Sequence, residues 1–307
     1  MLQRANTPDL LEPGFRQIFL DNYKETERVF TSLFNVMTSS KQTERVSAFS
    51  GFGYPVPKAE NEPISYEDPQ QMYDNTFSHV VYAKGFKVSR EAMDDDQYNV
   101  ISRLPGKLGR SLRRWEEKSG SLVLERAFNT SYQGGDAKPL ASTIHPRSDG
   151  GATQSNASAT GITLTEANFE TARLAMMNQK DDKGMKIGIK PNKLIIPIEL
   201  GKTANIIFNS NLRSGTADND LNPYKGAVQI VEWIYLNDTS TTAWFLMDTD
   251  QATDTLIWFW RDRAEFKQDD LFETESRAYK ARERFSTGFG DYRGFWASKG
   301  DGGAYSS

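Results

Sequence analysis

At 307 residues, with 37% hydrophobic and 25% charged residues, the chain is long enough for about two ordinary domains or one large one. A net charge of −4 gives no global basic attraction for nucleic acid, and the absence of cysteine excludes disulfides and thiolate metal sites. No apolar run approaches the roughly 18 residues of a membrane span, and the N-terminal Met1-Leu-Gln-Arg-Ala-Asn-Thr-Pro8 has no apolar signal region.

Residues 1–47 read as an arm with helical pieces, because Phe15, Ile18, Phe19, Tyr23, Phe30, Leu33 and Phe34 make an apolar stripe among charges. Residues 48–75 are rich in Gly, Pro and acids. Pro55, Pro57, Pro63 and Pro69 rule out a continuous helix and a central strand. The segment reads as two extended runs flanking a turn near Lys58 to Asn61, a long projecting hairpin-like loop, with a disordered linker as the alternative. An extended run follows from Phe77 to Ser89. After Asp94-Asp95-Asp96, which can cap a helix and complement its dipole, a helical pattern runs from Asp95 to Phe128. At ~100° per residue, Leu104, Leu108, Leu112, Trp115, Ser119 and Leu122 fall within about 80° of one another. Arg103, Lys107, Arg110, Arg114, Glu117, Ser121 and Glu125 fall on the far side. Such a rod would span about 50 Å at ~1.5 Å per residue, kinked or restarted at Pro105-Gly106.

Asn129 to Thr160 is polar and loop-like. Thr163 and Glu166 suggest a capping box for a helix through Gln179. Lys193 to Ile198 reads as a buried strand and Glu199 to Asn209 as a short helix. Three strand signals follow, at Ala227 to Tyr235, Ala243 to Met247 and Leu256 to Trp260, so 139–263 reads as a compact α+β unit. In Ala278 to Phe285, Lys280, Arg282 and Arg284 share one face and Tyr279, Ala281 and Phe285 the other. A glycine-rich turn and a short strand cover Gly288 to Trp296, and the tail from Gly300 to Ser307 is expected to fray.

The sequence offers little catalytic chemistry. Its two histidines, His79 and His145, lack a supporting triad motif. Gly201-Lys-Thr203 is no phosphate loop, because the first glycine that the motif needs, five residues before Gly201, is missing. Gly288-x-Gly290 has no third glycine at the dinucleotide spacing. Asp248-x-Asp250 with Asp254 fails as a calcium loop, with Thr253 in the glycine position and Phe259 in place of the bidentate Glu. The basic clusters, Arg110-Arg113-Arg114 and Lys280-Arg282-Arg284, read as solvated faces or as partners for acids of neighbouring subunits, with nucleic-acid binding the least supported.

The order of elements resembles that of tailed-bacteriophage major capsid proteins with the Hong Kong 97-type fold, and among them the Mu-like major head subunits. The residues that carry the likeness are Val80-Val-Tyr-Ala-Lys-Gly-Phe-Lys-Val-Ser-Arg-Glu-Ala-Met-Asp-Asp-Asp96 leading into the spine, and Arg277-Ala-Tyr-Lys-Ala-Arg-Glu-Arg-Phe-Ser-Thr-Gly-Phe-Gly290. The resemblance implies an α+β capsid fold: N-terminal arm 1–47, extended loop 48–88, peripheral domain 89–138 with 264–307, and inserted axial domain 139–263. It implies no enzymatic role and no cofactor or metal. It also implies self-assembly through pentamers and hexamers into an icosahedral virion shell, built in the host cytoplasm around DNA held without sequence-specific binding and without a membrane. A separate scaffolding protein, a portal and decoration proteins are possible partners. The expected interface residues are Tyr54, Lys58, Glu60 and Glu62 on the loop, Arg110 and Arg114 on the spine, and Lys280, Arg282 and Arg284 on the late strand. A nanocompartment shell of the same fold and a carbohydrate-active hydrolase are the rival readings.

Overall fold

The computed structural model describes residues 8–25, 28–69, 71–96, 100–147, 150–212, 220–250 and 252–305. The arm begins with α1 (Pro8–Glu25), whose Phe15, Phe19 and Tyr23 recur every four residues and are buried on one face. Phe30, Leu33 and Phe34 follow, also buried. The chain then enters β1 (Asn35–Thr38) and the antiparallel pair β2 (Thr43–Phe49) and β3 (Gln71–Ser78), which form the stem of the projecting loop. The extended run expected from Phe77 to Ser89 is two strands, the end of β3 and then β4 (Val80–Ser89), with His79 between them.

Ser89 caps the short α2 (Arg90–Asp94), its side chain accepting from the Ala92 N–H. Asp96 accepts from the backbone N–H groups of Val100 (2.9 Å) and Ile101 (2.8 Å), so one residue of the acidic cluster is a cap. A 3-10 turn at Ile101–Arg103 abuts the spine helix α3 (Leu104–Glu125). Pro105 lies in the first turn of α3, where a missing N–H costs no helical bond. The spine is therefore shorter than the sequence periodicity suggests, and residues 97–99 lie outside the described ones.

The expected polar side of the spine needs a second correction. Glu117 and Ser121 are buried, while Trp115, expected in the apolar seam, is 38% exposed. The helix is packed on more than one side: α1 and the strand Ser276–Phe289 cover one face, and the turn Ile234–Asp238 covers another. Glycine makes these approaches possible. A Cβ at Gly109 would lie 2.6 Å from the Phe19 carbonyl oxygen, and one at Gly120 would lie 3.0 Å from the Trp233 ring.

Two four-stranded sheets organise the rest. The first runs β1-β8-β9-β4, with β8 (Leu256–Leu271) and β9 (Ser276–Phe289) as a long antiparallel hairpin. Its register slips between Trp260 and Asp262 and again between Asp262 and Glu265. The second runs β10-β7-β5-β6, from β5 (Lys193–Ile196), β6 (Gln229–Glu232), β7 (Trp244–Met247) and β10 (Phe295–Ser298). It draws a strand from the C-terminal segment into the sheet of the 139–263 segment.

Helices α4 (Glu166–Met177) and α5 (Gly201–Asn209) pack on the second sheet through Phe169, Met176, Ala204 and Phe208. The cap of α4 is Thr165, not Thr163: its side chain accepts from the Asn168 N–H at 3.2 Å. The central core is aromatic. Trp258 stacks on Phe30 at 4.3 Å and on Phe285 at 4.4 Å, joining arm to hairpin. The tail is not frayed as far as Tyr305, whose ring is buried, whose hydroxyl donates to the Ala141 carbonyl and whose N–H bonds the Ala159 carbonyl at 2.8 Å.

Candidate assembly surfaces

Beyond the β2–β3 stem, residues 51–69 form a limb in which Gly53 alone is half-buried and the rest are exposed. Its apolar side chains face outward: Phe52, Tyr54 (76% exposed), Val56, Ile64 and Tyr66 (90% exposed). Large apolar groups in a row on a surface mark a contact with something else. The limb is held by bonds of its own and by one ion pair to the body of the chain. Glu67 accepts from the Gly53 N–H (2.7 Å) and pairs with Lys183 (2.5 Å), and these two donors hold its carboxyl below the usual range. Glu62 accepts from the Ala59 N–H (3.2 Å), and Asn61 takes a left-handed φ of 66° at the turn.

Lys58, Glu60 and Glu62 flank that turn, so the structure brings the four loop residues expected at an interface onto one limb. Between them Glu60, Glu62, Glu67 and Asp68 make it acidic.

The spine shows the opposite charge. Arg103, Lys107, Arg110 and Arg114 are exposed and lie within about 60° of one another on the helix. Among the residues of α3, no acid lies on this stripe. Glu116 and Glu117 point inward, and Glu125 is engaged by Lys118 at 2.9 Å. Beside the stripe, a groove of about 320 Å³ opens between α3 and the β4–β9 sheet, lined by Tyr82, Trp115, Tyr132, Phe285 and Phe289. Arg126 stacks on Tyr132 at its rim, 4.3 Å from the ring centre. The sequence reading missed this groove, because it forms only where helix and sheet diverge.

The third set is mixed. Lys280 and Arg282 are exposed on β9, but Arg282 pairs with Asp262 across the hairpin at 3.4 Å and Arg284 reaches the His79 carbonyl at 3.4 Å. The tip of the hairpin presents Phe272, 96% exposed.

Both histidines serve as ties between segments. His79 Nε2 lies 3.1 Å from Ser39 Oγ and Nδ1 lies 2.9 Å from Ser286 Oγ, while Ser39 Oγ donates to Glu44 at 2.7 Å. This chain of bonds fastens the base of the limb to β9. His145 bonds Asp136 (2.6 Å) and Asn156 (3.1 Å) and stacks on Tyr292 at 3.7 Å. Among the described residues there is no group of three His, Asp or Glu side chains able to hold a metal, and no helix long and apolar enough to cross a membrane.

A family model described as phage capsid protein matches residues 74–298, which is most of the chain. The chain belongs to this phage capsid protein family. Solved structures agree on the fold. The bacteriophage JBD30 capsid protein superposes with a TM-score of 0.60 at 16% identity, over 75% of this chain and 99% of that one. Microbacterium phage Oxtober96 matches with a TM-score of 0.54 at 12% identity, over 97% and 99%. A virus-like particle of Pyrococcus furiosus gives 0.53 at 12% identity, over 93% and 98%. No curated protein shows significant similarity to the sequence.

This phage capsid protein therefore has the Hong Kong 97-type fold expected from its element order. It is a major capsid protein, a structural component of the virion that self-assembles into the shell.

Proposed function

We propose that the shell is held by the acidic limb of one copy lying over the basic spine of the next, with the limb's aromatic side chains filling the neighbour's groove. The observation that carries this reading is complementarity. Glu60, Glu62 and Asp68 on the limb oppose Arg103, Lys107, Arg110 and Arg114 on the spine, and exposed Tyr54 and Tyr66 match an aromatic-lined groove. Limb and groove are different patches of one chain, so the contact is heterologous and repeats around a ring. Rings of five and six close the icosahedral shell around the genome, and modest contacts add through multivalency.

On this reading residues 1–47 are the arm, 48–88 the extended loop, 89–138 with 264–307 the peripheral domain and 139–263 the axial domain. Assembly takes place in the host cytoplasm, with a separate scaffolding protein, a portal and decoration proteins as partners. JBD30 lends support by its recorded forms, a procapsid and a capsid decorated with minor capsid protein trimers.

Deleting residues 51–69 tests the contact. The variant is expected to remain folded and soluble but to form no shells by negative-stain microscopy and light scattering. Particles of normal size and number from this deletion would refute the limb's role.

A further inference from the structure

A buried charged cluster lies where α1, α3 and β9 meet, apart from the assembly surfaces. Arg113, Glu116 and Glu283 are fully buried, and Glu117 is 3% exposed. Glu116 receives two donors, the Tyr23 hydroxyl from α1 and the Arg113 guanidinium from its own helix. Glu117 accepts from the Val29 N–H, just past α1, at 3.1 Å and stands 3.8 Å from Arg113; its other oxygen has no hydrogen-bond partner. Glu283 receives no donor on either oxygen and faces the Glu116 carboxyl, which a proton on Glu283 can reach. The guanidinium also lies 5.7 Å from the Tyr23 ring centre and 5.6 Å from that of Phe30. Three carboxyls thus share one inner cation, and Glu116 takes it.

Among the described residues no second cation is bonded to Glu117 or Glu283: Arg114 and Lys118 act on Tyr235, where Lys118 is taken by Glu125 and Asp238, and Arg126 acts on Tyr82. Tyr82 of β4 and Tyr235 of the 234–238 turn are neutral phenols, raised further by burial. Arg28, after α1, and Arg263, on β8, act on Tyr23 and Glu116. Ionising all three carboxyls would therefore leave negative charge uncompensated away from water.

We propose that this cluster is a proton-controlled clasp on the arm: α1 stays docked on the spine while Glu117 and Glu283 are neutral, and lifts away when they ionise. Burial holds Glu117 up to about 7, and burial beside Glu116 holds Glu283 up to about 9. In water both would titrate near 4.3. The undocked form therefore gives up its protons first, docking takes protons up, and docking weakens as pH rises from about 4.3, levelling off for Glu117 at about 7 and for Glu283 at about 9. Each such carboxyl changes the docked-to-free ratio by up to tenfold per pH unit. Release uncovers the apolar face of Phe15, Phe19 and Tyr23, which in an assembling shell becomes free to bind elsewhere. The clasp lies within one chain, so its test is independent of the limb-to-spine contact.

The experiment is amide hydrogen exchange on the full chain, with protection factors corrected for intrinsic rates, from pH 6 to 9.5. Protection in residues 14–25 is expected to fall by up to a hundredfold per unit below about pH 7, where both carboxyls contribute, and by up to tenfold per unit from about pH 7 to 9, where Glu283 alone does. Amides of 256–260 and 285–289 should keep theirs. The double variant Glu117→Gln/Glu283→Gln should flatten the α1 profile, and Glu283→Gln alone should remove the upper part of the fall. A flat wild-type profile overturns the clasp, as does a double variant with the wild-type slope. Loss of protection in α1 and the β8–β9 strands together also overturns it, since the cluster would then govern the whole fold. Should the double variant fail to fold, the wild-type series still decides.

Discussion

Two glycines in the α1–α3 pair are expected to respond to the same substitution with opposite signs. Glycine to alanine inside a helix gains roughly 1 kcal/mol when nothing else changes. Gly14 lies in α1, and an added Cβ there meets nothing within 4 Å. Gly14→Ala should keep the gain. At Gly109 the added Cβ falls 2.6 Å from the Phe19 carbonyl oxygen and 3.4 Å from the Tyr23 nitrogen. These are backbone atoms, so no side chain can swing aside and α1 itself must move. Overpacking of this kind costs about 1–3 kcal/mol, which exceeds the helix gain and leaves a net loss of about 1 kcal/mol. Thermal unfolding by circular dichroism at fixed pH reads both, with a midpoint rise of a few degrees expected for Gly14→Ala and a fall of similar size for Gly109→Ala. If Gly109→Ala stabilises the protein as Gly14→Ala does, α1 does not press on the spine through its backbone and the packing described above is wrong.

Three further outcomes are expected. Trp258→Ala removes the ring stacked between Phe30 and Phe285 and should cost about 3–5 kcal/mol in urea unfolding, with an unchanged slope; a loss below 1 kcal/mol would contradict the central core. Burial and the nearby Arg284 lower the His79 pKa, so the folded state prefers the neutral ring, and stability should drop as pH falls below about 6.5. His79→Gln should reduce that drop, and an unchanged pH profile would remove His79 as its source. Tyr305→Ala deletes a buried ring and its bond to the Ala141 carbonyl and should cost about 3 kcal/mol by thermal unfolding, whereas a tail without structural weight would give no change.

Periodicity made much of this fold legible. The four-residue recurrence of Phe15, Phe19 and Tyr23, the phase of Leu104, Leu108 and Leu112 across Pro105, and the alternation of Tyr279, Ala281 and Phe285 each mark a face that is buried. What escaped depends on neighbours distant in sequence. Glu117 and Ser121 look like solvent residues on a helical wheel, yet a second packed side lined by glycine, serine and an Arg–Glu pair has no apolar signature to find. Glu283 sits in the apolar register of β9 and passes unnoticed unless a charge in that register is treated as a signal. Strand β8 runs on past Trp260 because β9 supplies the partner, although Arg261 to Leu271 is mostly polar. The limb was legible from its prolines, whereas the groove beside Trp115 required the angle between helix and sheet. The tail was misread because glycine content says nothing about the crevice that receives Tyr305.

The two slips in the β8–β9 ladder have a mechanical consequence. Bulges bend a strand and sharpen its twist locally, and here they divide the hairpin into an aromatic root, Leu256–Trp260, and an outer blade, Glu265–Leu271. A closed shell made from many copies of one chain asks its tiles to tolerate small differences in tilt. The root is stacked on Phe30 and Phe285, while the blade is tied to the arm through Phe266, 5.2 Å from the Phe19 ring, so any change of twist at Arg261 to Ala264 would carry α1 with it.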